Sequence, residues 1–151
     1  MTEKIIKSFT IGNESYNSVK VEIFNYLSPD LTDYWDANRL KSKIRIKAGA
    51  FKGEYFSEIQ TVDFREFKNG LERLYKDLKG SLMFYSIESG LSMEITGDGI
   101  GHFNINCMAC DFPVTGNRLE FTMQIDQTEI PDLIQQLDGM LEIFPVKGQG
   151  T

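Results

Sequence analysis

Twice along this chain, alternating apolar and polar residues give way to an amphipathic helical period, and that order limits the architecture more than any other feature. Val19, Val21, Ile23 and Leu27 alternate with Lys20, Glu22 and Tyr26; Ile44, Ile46 and Ala48 alternate with Lys43, Arg45 and Lys47. Phe51, Tyr55 and Ile59 then alternate with Lys52, Glu54, Phe56 and Glu58. A period of two places successive side chains on opposite faces, so each run reads as a strand with one face turned to a core. From Thr61 to Gly80 the period changes: Phe64, Phe67, Leu71, Leu74 and Leu78 recur at helical spacing, with Thr61 expected as N-cap and Gly80 as the glycine that ends the helix. The second half repeats the order. SLMFYSIE, LSMEITG, HFNINCMA and LEFTMQID read as strands, and Gly97-Asp98-Gly99 as a hairpin turn. A helix is expected from Glu129 to Glu142, with Ile130, Leu133, Leu137, Met140, Leu141 and Phe144 on one face and Pro131 in its first turn.

At an offset of 66 residues, Tyr55, Ile59, Phe64, Phe67, Leu71, Leu74 and Leu78 correspond to Phe121, Ile125, Ile130, Leu133, Leu137, Met140 and Phe144 without gaps. Internal duplication explains this; so does the pattern that any two strand-helix units share. Strands joined by short turns leave an apolar face, and two amphipathic helices can cover it. The expectation is an α+β domain spanning residues 1–151. It would have one large curved antiparallel sheet of about eight strands covered by the two helices, or two abutting sheets. No linker rich in Gly, Pro or Ser interrupts the middle.

Charge is divided unevenly. Residues 1–79 carry 14 basic and 12 acidic side chains, and residues 80–151 carry 2 and 10, within a net charge of -6. An acidic chain is a poor partner for nucleic acid or an anionic membrane, and no run approaches the roughly 18 apolar residues of a membrane span. Nor does the N-terminus carry a signal-peptide core, so a cytoplasmic location is expected. Within the first half, Arg39, Lys41, Lys43, Arg45 and Lys47 recur at every second position. They predict a basic strand face, for which Glu54 and Glu58 offer cross-strand partners.

Few residues suggest catalysis. Cys107 and Cys110 form a lone CxxC in a strand, where three steps separate the Cα atoms by about 10 Å, beyond the roughly 7 Å limit of a disulfide. With one histidine and no second CxxC, four zinc ligands are not assembled, so free packing cysteines and no metal or cofactor are expected. His102 should share a polar strand face with Asn104 and Asn106, as a candidate base or as a solvent-facing residue. Gly97 to Gly101 lacks the spacing of a phosphate-binding loop.

The most distinctive string is Asp33-Tyr34-Trp35-Asp36-Ala37-Asn38, between two strands and holding the only tryptophan. The indole is expected to anchor the loop against the sheet while Asp36 and Asn38 bond turn amides; gripping a ligand or partner is the other reading. Asp33-Tyr34-Trp35-Asp36-x-Asn38-x-Leu40 resembles the opening pattern of the WapI-type bacterial immunity proteins. The later features follow in order: Phe51-Lys52-Gly53, the Phe64/Phe67/Leu71/Leu74 helix, Leu78-x-Gly80, Ile87-Glu88, Asp126-Gln127-Thr128 and Phe144-Pro145-Val146. The resemblance spans about residues 19–148. It implies a small cytoplasmic protein that protects its producer from a polymorphic contact-dependent toxin, commonly a nuclease, by direct binding and without catalytic residues.

Basic nuclease toxins would suit an acidic partner surface, and Glu120, Asp126, Glu129 and Asp132 are the candidate contacts. Glu120 and Asp126 should lie on the polar face of the last strand, and Glu129 and Asp132 at the start of the helix that follows. Two alternatives remain: an enzyme or ligand-binding module with a cleft near Trp35 and His102, and an interaction domain of a larger assembly.

Overall fold

The computed structural model describes residues 3–86 and 90–148. Its strands are β1 (Lys7–Gly12), β2 (Asn17–Tyr26), β3 (Arg39–Ala48) and β4 (Phe51–Gln60), followed by α1 (Thr61–Asp77). The second set is β5 (Lys79–Tyr85), β6 (Leu91–Asp98), β7 (His102–Cys110) and β8 (Arg118–Asp126), followed by a 3-10 turn (Gln127–Glu129) and α2 (Ile130–Ile143). The strands form two separate antiparallel meanders, β1-β2-β3-β4 and β5-β6-β7-β8, not one eight-stranded sheet. The break is physical: α1 interrupts the run of hairpins, and β4 and β5 do not pair. The predicted Ile87-Glu88 element lies outside the described residues.

Each sheet turns its alternating apolar residues to a shared core. Val19, Val21, Ile44 and Ile46 of the first sheet join Met93, Ile95, Phe103 and Ile105 of the second in one buried cluster. The helices complete it with Phe64, Phe67, Leu71 and Leu74 from α1 and Ile130, Leu133, Leu137 and Met140 from α2. Phe67 meets Phe9 edge-on at 5.8 Å and Phe84 at 5.1 Å, linking β1 and β5 through α1. Gly70 fits against Leu82, where a Cβ would stand 2.1 Å from a leucine methyl.

The chain enters α1 and the 3-10 turn before α2 through the same kind of cap. Gln60 is the N-cap of α1, so Thr61 is its first helical residue and not the expected cap. Gln60 N–H donates to Asp63 Oδ2 at 2.9 Å, half of a capping box. Sixty-six positions on, Asp126 N–H donates to Glu129 Oε2 at 2.9 Å in the same arrangement. Leu78 ends α1 and Phe144 ends α2, and their amides bond the carbonyls of Leu74 and Met140. Shared topology and shared caps at one offset support the internal duplication. Leu78 itself adopts the left-handed conformation, φ 62°, where Gly80 was expected to end the helix. Its side chain packs on the core, and that burial offsets about 1–2 kcal/mol of backbone cost.

Candidate functional site

The Trp35 loop is anchored, but not by its tryptophan. The indole is 67% exposed and meets the Tyr34 ring edge-on at 5.0 Å. The expectation that it packs against the sheet is therefore corrected; Ala37 and Asn38, both fully buried, do the anchoring. Asn38 Nδ2 donates to the carbonyls of Tyr34 (2.9 Å) and Lys147 (3.0 Å). Its Oδ1 accepts from Lys147 N–H (2.6 Å) and Thr61 Oγ1 (3.1 Å). One side chain thus ties the loop, the start of α1 and the C-terminal segment. Asp33 accepts from the Asp36 amide at 2.8 Å, so Asp33, and not Asp36, closes the turn. Lys147 Nζ bonds the carbonyls of Pro29 and Leu31 and lies 3.8 Å from the Tyr26 ring centre.

His102 is exposed on the outer face of β7, as predicted, with Asn104 and Asn106. Its Nδ1 lies 3.0 Å from Asp98 Oδ2, and Asp98 also accepts from the amides of Ile100 and His102, which fold the β6–β7 turn. These bonds hold the Asp98 carboxyl below its usual range, the Ile100 amide contributing most. His102 lines an open hollow of about 560 Å³ with Thr96, Asn104 and Gln124, and Trp35 is not among its walls. The structure does not bring Trp35 and His102 into that hollow together.

Cys107 lies in the core with its thiol pushed up to about 12 by burial, and Cys110 Sγ is 3.0 Å from the Phe112 carbonyl. Both are free, and among the described residues no group of three or more His, Cys, Asp or Glu is placed to hold a metal.

The four candidate contacts divide into two kinds. Glu120 is exposed in β8 with Arg118 3.6 Å away. Asp126 and Glu129 form the capping box, and the Thr128 hydroxyl and amide hold the Asp126 carboxyl below its usual range. Asp132 accepts from Gln136 at 2.9 Å, while Gln136 pairs with both the amide and the carbonyl of Thr10 on the edge strand β1. Asp126, Glu129 and Asp132 are therefore used by the fold itself, while remaining at the surface.

Strand register adds what the sequence reading missed. Met83, Glu94, Asn106 and Thr122 form one cross-strand row on the outer face of the second sheet, and Tyr85, Ser92, Met108 and Glu120 form the next. Neither row contains a basic residue. A hollow of about 500 Å³ lies over them, with Glu94 and Glu120 among its walls. Alternation through β6 alone could have placed Glu94 on this face.

On the outer face of the first sheet, by contrast, Glu54 and Glu58 pair with strand cations as expected, and Glu22 does so too. Arg45 joins Glu22 and Glu54 at 2.6 Å each, Arg39 joins Glu58, and Lys43 joins Glu54. Lys43 and Arg45 hold Glu54 below its usual carboxylate range.

Comparison with known proteins adds family and fold. No curated protein matches the chain. The structure of a plant transcriptional regulator, PBF-2, superposes with a TM-score of 0.54 at 13% identity, covering 95% of this chain and 84% of that one. Trypanosoma bruciei MRP1/MRP2 gives 0.47 at 10% identity, covering 90% and 84%. At such identities the likeness to PBF-2 is one of fold alone. The sequence model of the immunity protein WapI-like family matches residues 9–145, nearly the whole of both four-strand-and-helix units, and the chain belongs to that family.

Proposed function

We propose that this immunity protein acts in the cytoplasm by binding a cognate nuclease toxin stoichiometrically, with no chemistry of its own. Membership of the immunity family carries the reading. Nuclease domains bind a polyanion and so present basic surfaces, and a partner that bears uncompensated acids meets them with electrostatic steering. Glu120, Asp126, Glu129 and Asp132 belong to the acidic half that would do so, and residues 1–151 would act as one binding unit. Blocking a toxin requires only an interface of ordinary size, about 1,600 Å² in total.

The test is titration of the purified toxin domain encoded beside this gene, with cleavage of RNA and DNA as the readout. Inhibition should saturate at one equivalent and follow complex formation. Complete inhibition by a small fraction of an equivalent would mean catalytic inactivation and overturn the binding mechanism. Absence of both binding and protection would overturn the immunity reading for that toxin.

A further inference from the structure

We infer that the toxin docks on the outer face of the second sheet, with a lysine or arginine of the toxin seated between Glu94 and Glu120. This rests on the immunity reading and narrows it from an acidic half to one face.

The two halves share one layout. Each is a four-stranded meander with one face on the core. In the first half each outward strand glutamate is paired with a cation across the strands, through Arg39–Glu58, Lys43–Glu54 and Arg45–Glu22. In the second, Glu94 stands opposite Met83 on one side and Asn106 on the other. It has no ion pair or side-chain hydrogen bond among the described residues. Glutamate is a weak strand former, so neither local propensity nor cross-strand pairing accounts for it. Glu120 is 73% exposed, and its Arg118 contact is long at 3.6 Å.

Between the two acids the hollow has Met108 and Asn106 on its floor and Met83 at its margin. Thioether side chains adapt to the aliphatic stem of a long cation, and the carboxylates and the amide oxygen receive its head. Tyr85, 62% exposed at the edge of the same row, adds an aromatic contact of the kind enriched at interfaces. Four strands at about 4.8 Å spacing and eight residues at about 3.3 Å give a flat area of about 500 Å², before side-chain relief. That is the order of one side of a standard interface. The occupant is a basic protein surface; a nucleic acid would meet four acids, Glu94, Asp98, Glu120 and Asp126, against two cations, Lys79 and Arg118, on this face.

The experiment measures association of the adjacent-gene toxin domain with wild type, Glu94→Lys/Glu120→Lys, Thr122→Arg and Lys52→Glu, at low and moderate salt. Far-UV circular dichroism establishes that each variant folds. The double reversal should slow association by about tenfold or more at low salt and flatten its salt dependence. Thr122→Arg, which fills the hollow but keeps both acids, should speed dissociation. Lys52→Glu on the other sheet should bind as well as wild type. If wild type binds and the second-sheet variants bind equally well, this docking face is overturned while the immunity reading stands. If Lys52→Glu, which makes the chain more acidic, speeds association as much per unit of charge as the double reversal slows it, only overall charge matters and the docking face is overturned. If wild type neither binds nor protects, the immunity reading fails and the docking face with it.

Discussion

Replacing Asn38 tests whether one buried amide holds three remote segments together. Asn38→Ala removes four hydrogen bonds at once, two donated to the Tyr34 and Lys147 carbonyls and two accepted from Lys147 N–H and Thr61 Oγ1. Neutral bonds contribute about 0.5–1.5 kcal/mol each, and a buried donor left without a partner costs more than a carbonyl that keeps a second lone pair. Water entering the space would satisfy part of the loss, so the net destabilisation is about 2–4 kcal/mol. Urea unfolding followed by far-UV circular dichroism reads it as a lower midpoint at unchanged slope. Faster amide exchange at Lys147, without a change in the β7 amides, would localise the effect. Asn38→Asp sharpens the test. A carboxylate would face two carbonyl oxygens, so its folded-state pKa would rise above the unfolded value near 3.9. With a raised folded pKa, stability is full below the unfolded value and is lost as pH rises through the folded one. The Asp variant should therefore be weaker than Ala at neutral pH and recover in acid. A loss below about 0.5 kcal/mol for Asn38→Ala would refute the reasoning.

Other residues make separate predictions. Trp35→Ala should change unfolding stability by less than about 0.5 kcal/mol, because the ring is exposed, and wild-type emission should be that of a solvated indole. Cys107 should resist a thiol reagent at pH 8 until the protein unfolds, since burial pushes its thiol up to about 12, and Cys107→Ser should cost about 1–3 kcal/mol. Asp63 should titrate at about 6: burial raises it, and the Gln60 amide only partly opposes this. Its contribution is therefore full below pH 3.8 and declines as pH rises to about 6, a slope that Asp63→Asn should remove from urea midpoints across that window. Asp126→Ala should cost about 1 kcal/mol through the lost cap whether or not a toxin is present.

Periodicity made most of the fold legible. The helix faces were readable because Phe64, Phe67, Leu71 and Leu74 all reach one core, and the repeat was readable because the same spacing recurs at Ile130, Leu133, Leu137 and Met140. β1 was missed: KSFTIG offers only Phe9 and Ile11 to the core, too short an alternation to stand out. Phe51 was read as inward-facing but is 67% exposed, since the β3–β4 hairpin end carries its ring beyond the core. Trp35 misled for a related reason. Hydrophobicity favours burial, but its neighbour Asn38 offers four bonding positions where two carbonyls and two donors converge, and it took the interior site. That convergence involves Lys147, 109 positions away, so no local pattern could show it.

The shared layout of the two halves also separates the acids that build the fold from those that do not. Asp126 and Glu129 stand at the offset positions of Gln60 and Asp63, and both pairs close capping boxes. A side chain that can accept from the backbone is what a helix start requires at those places, so these acids carry no information about a partner. Asp132 is bound to Gln136, which covers the open edge of β1, and Asp98 organises a hairpin turn. Glu94 remains without such a task among the described residues, and Glu120 has only one distant, exposed cation. Reversing Asp126 would confound binding with helix stability, whereas reversing Glu94 leaves every cap and turn in place. Glu94 therefore gives the cleaner test of partner recognition, although the net charge of the half does not single it out.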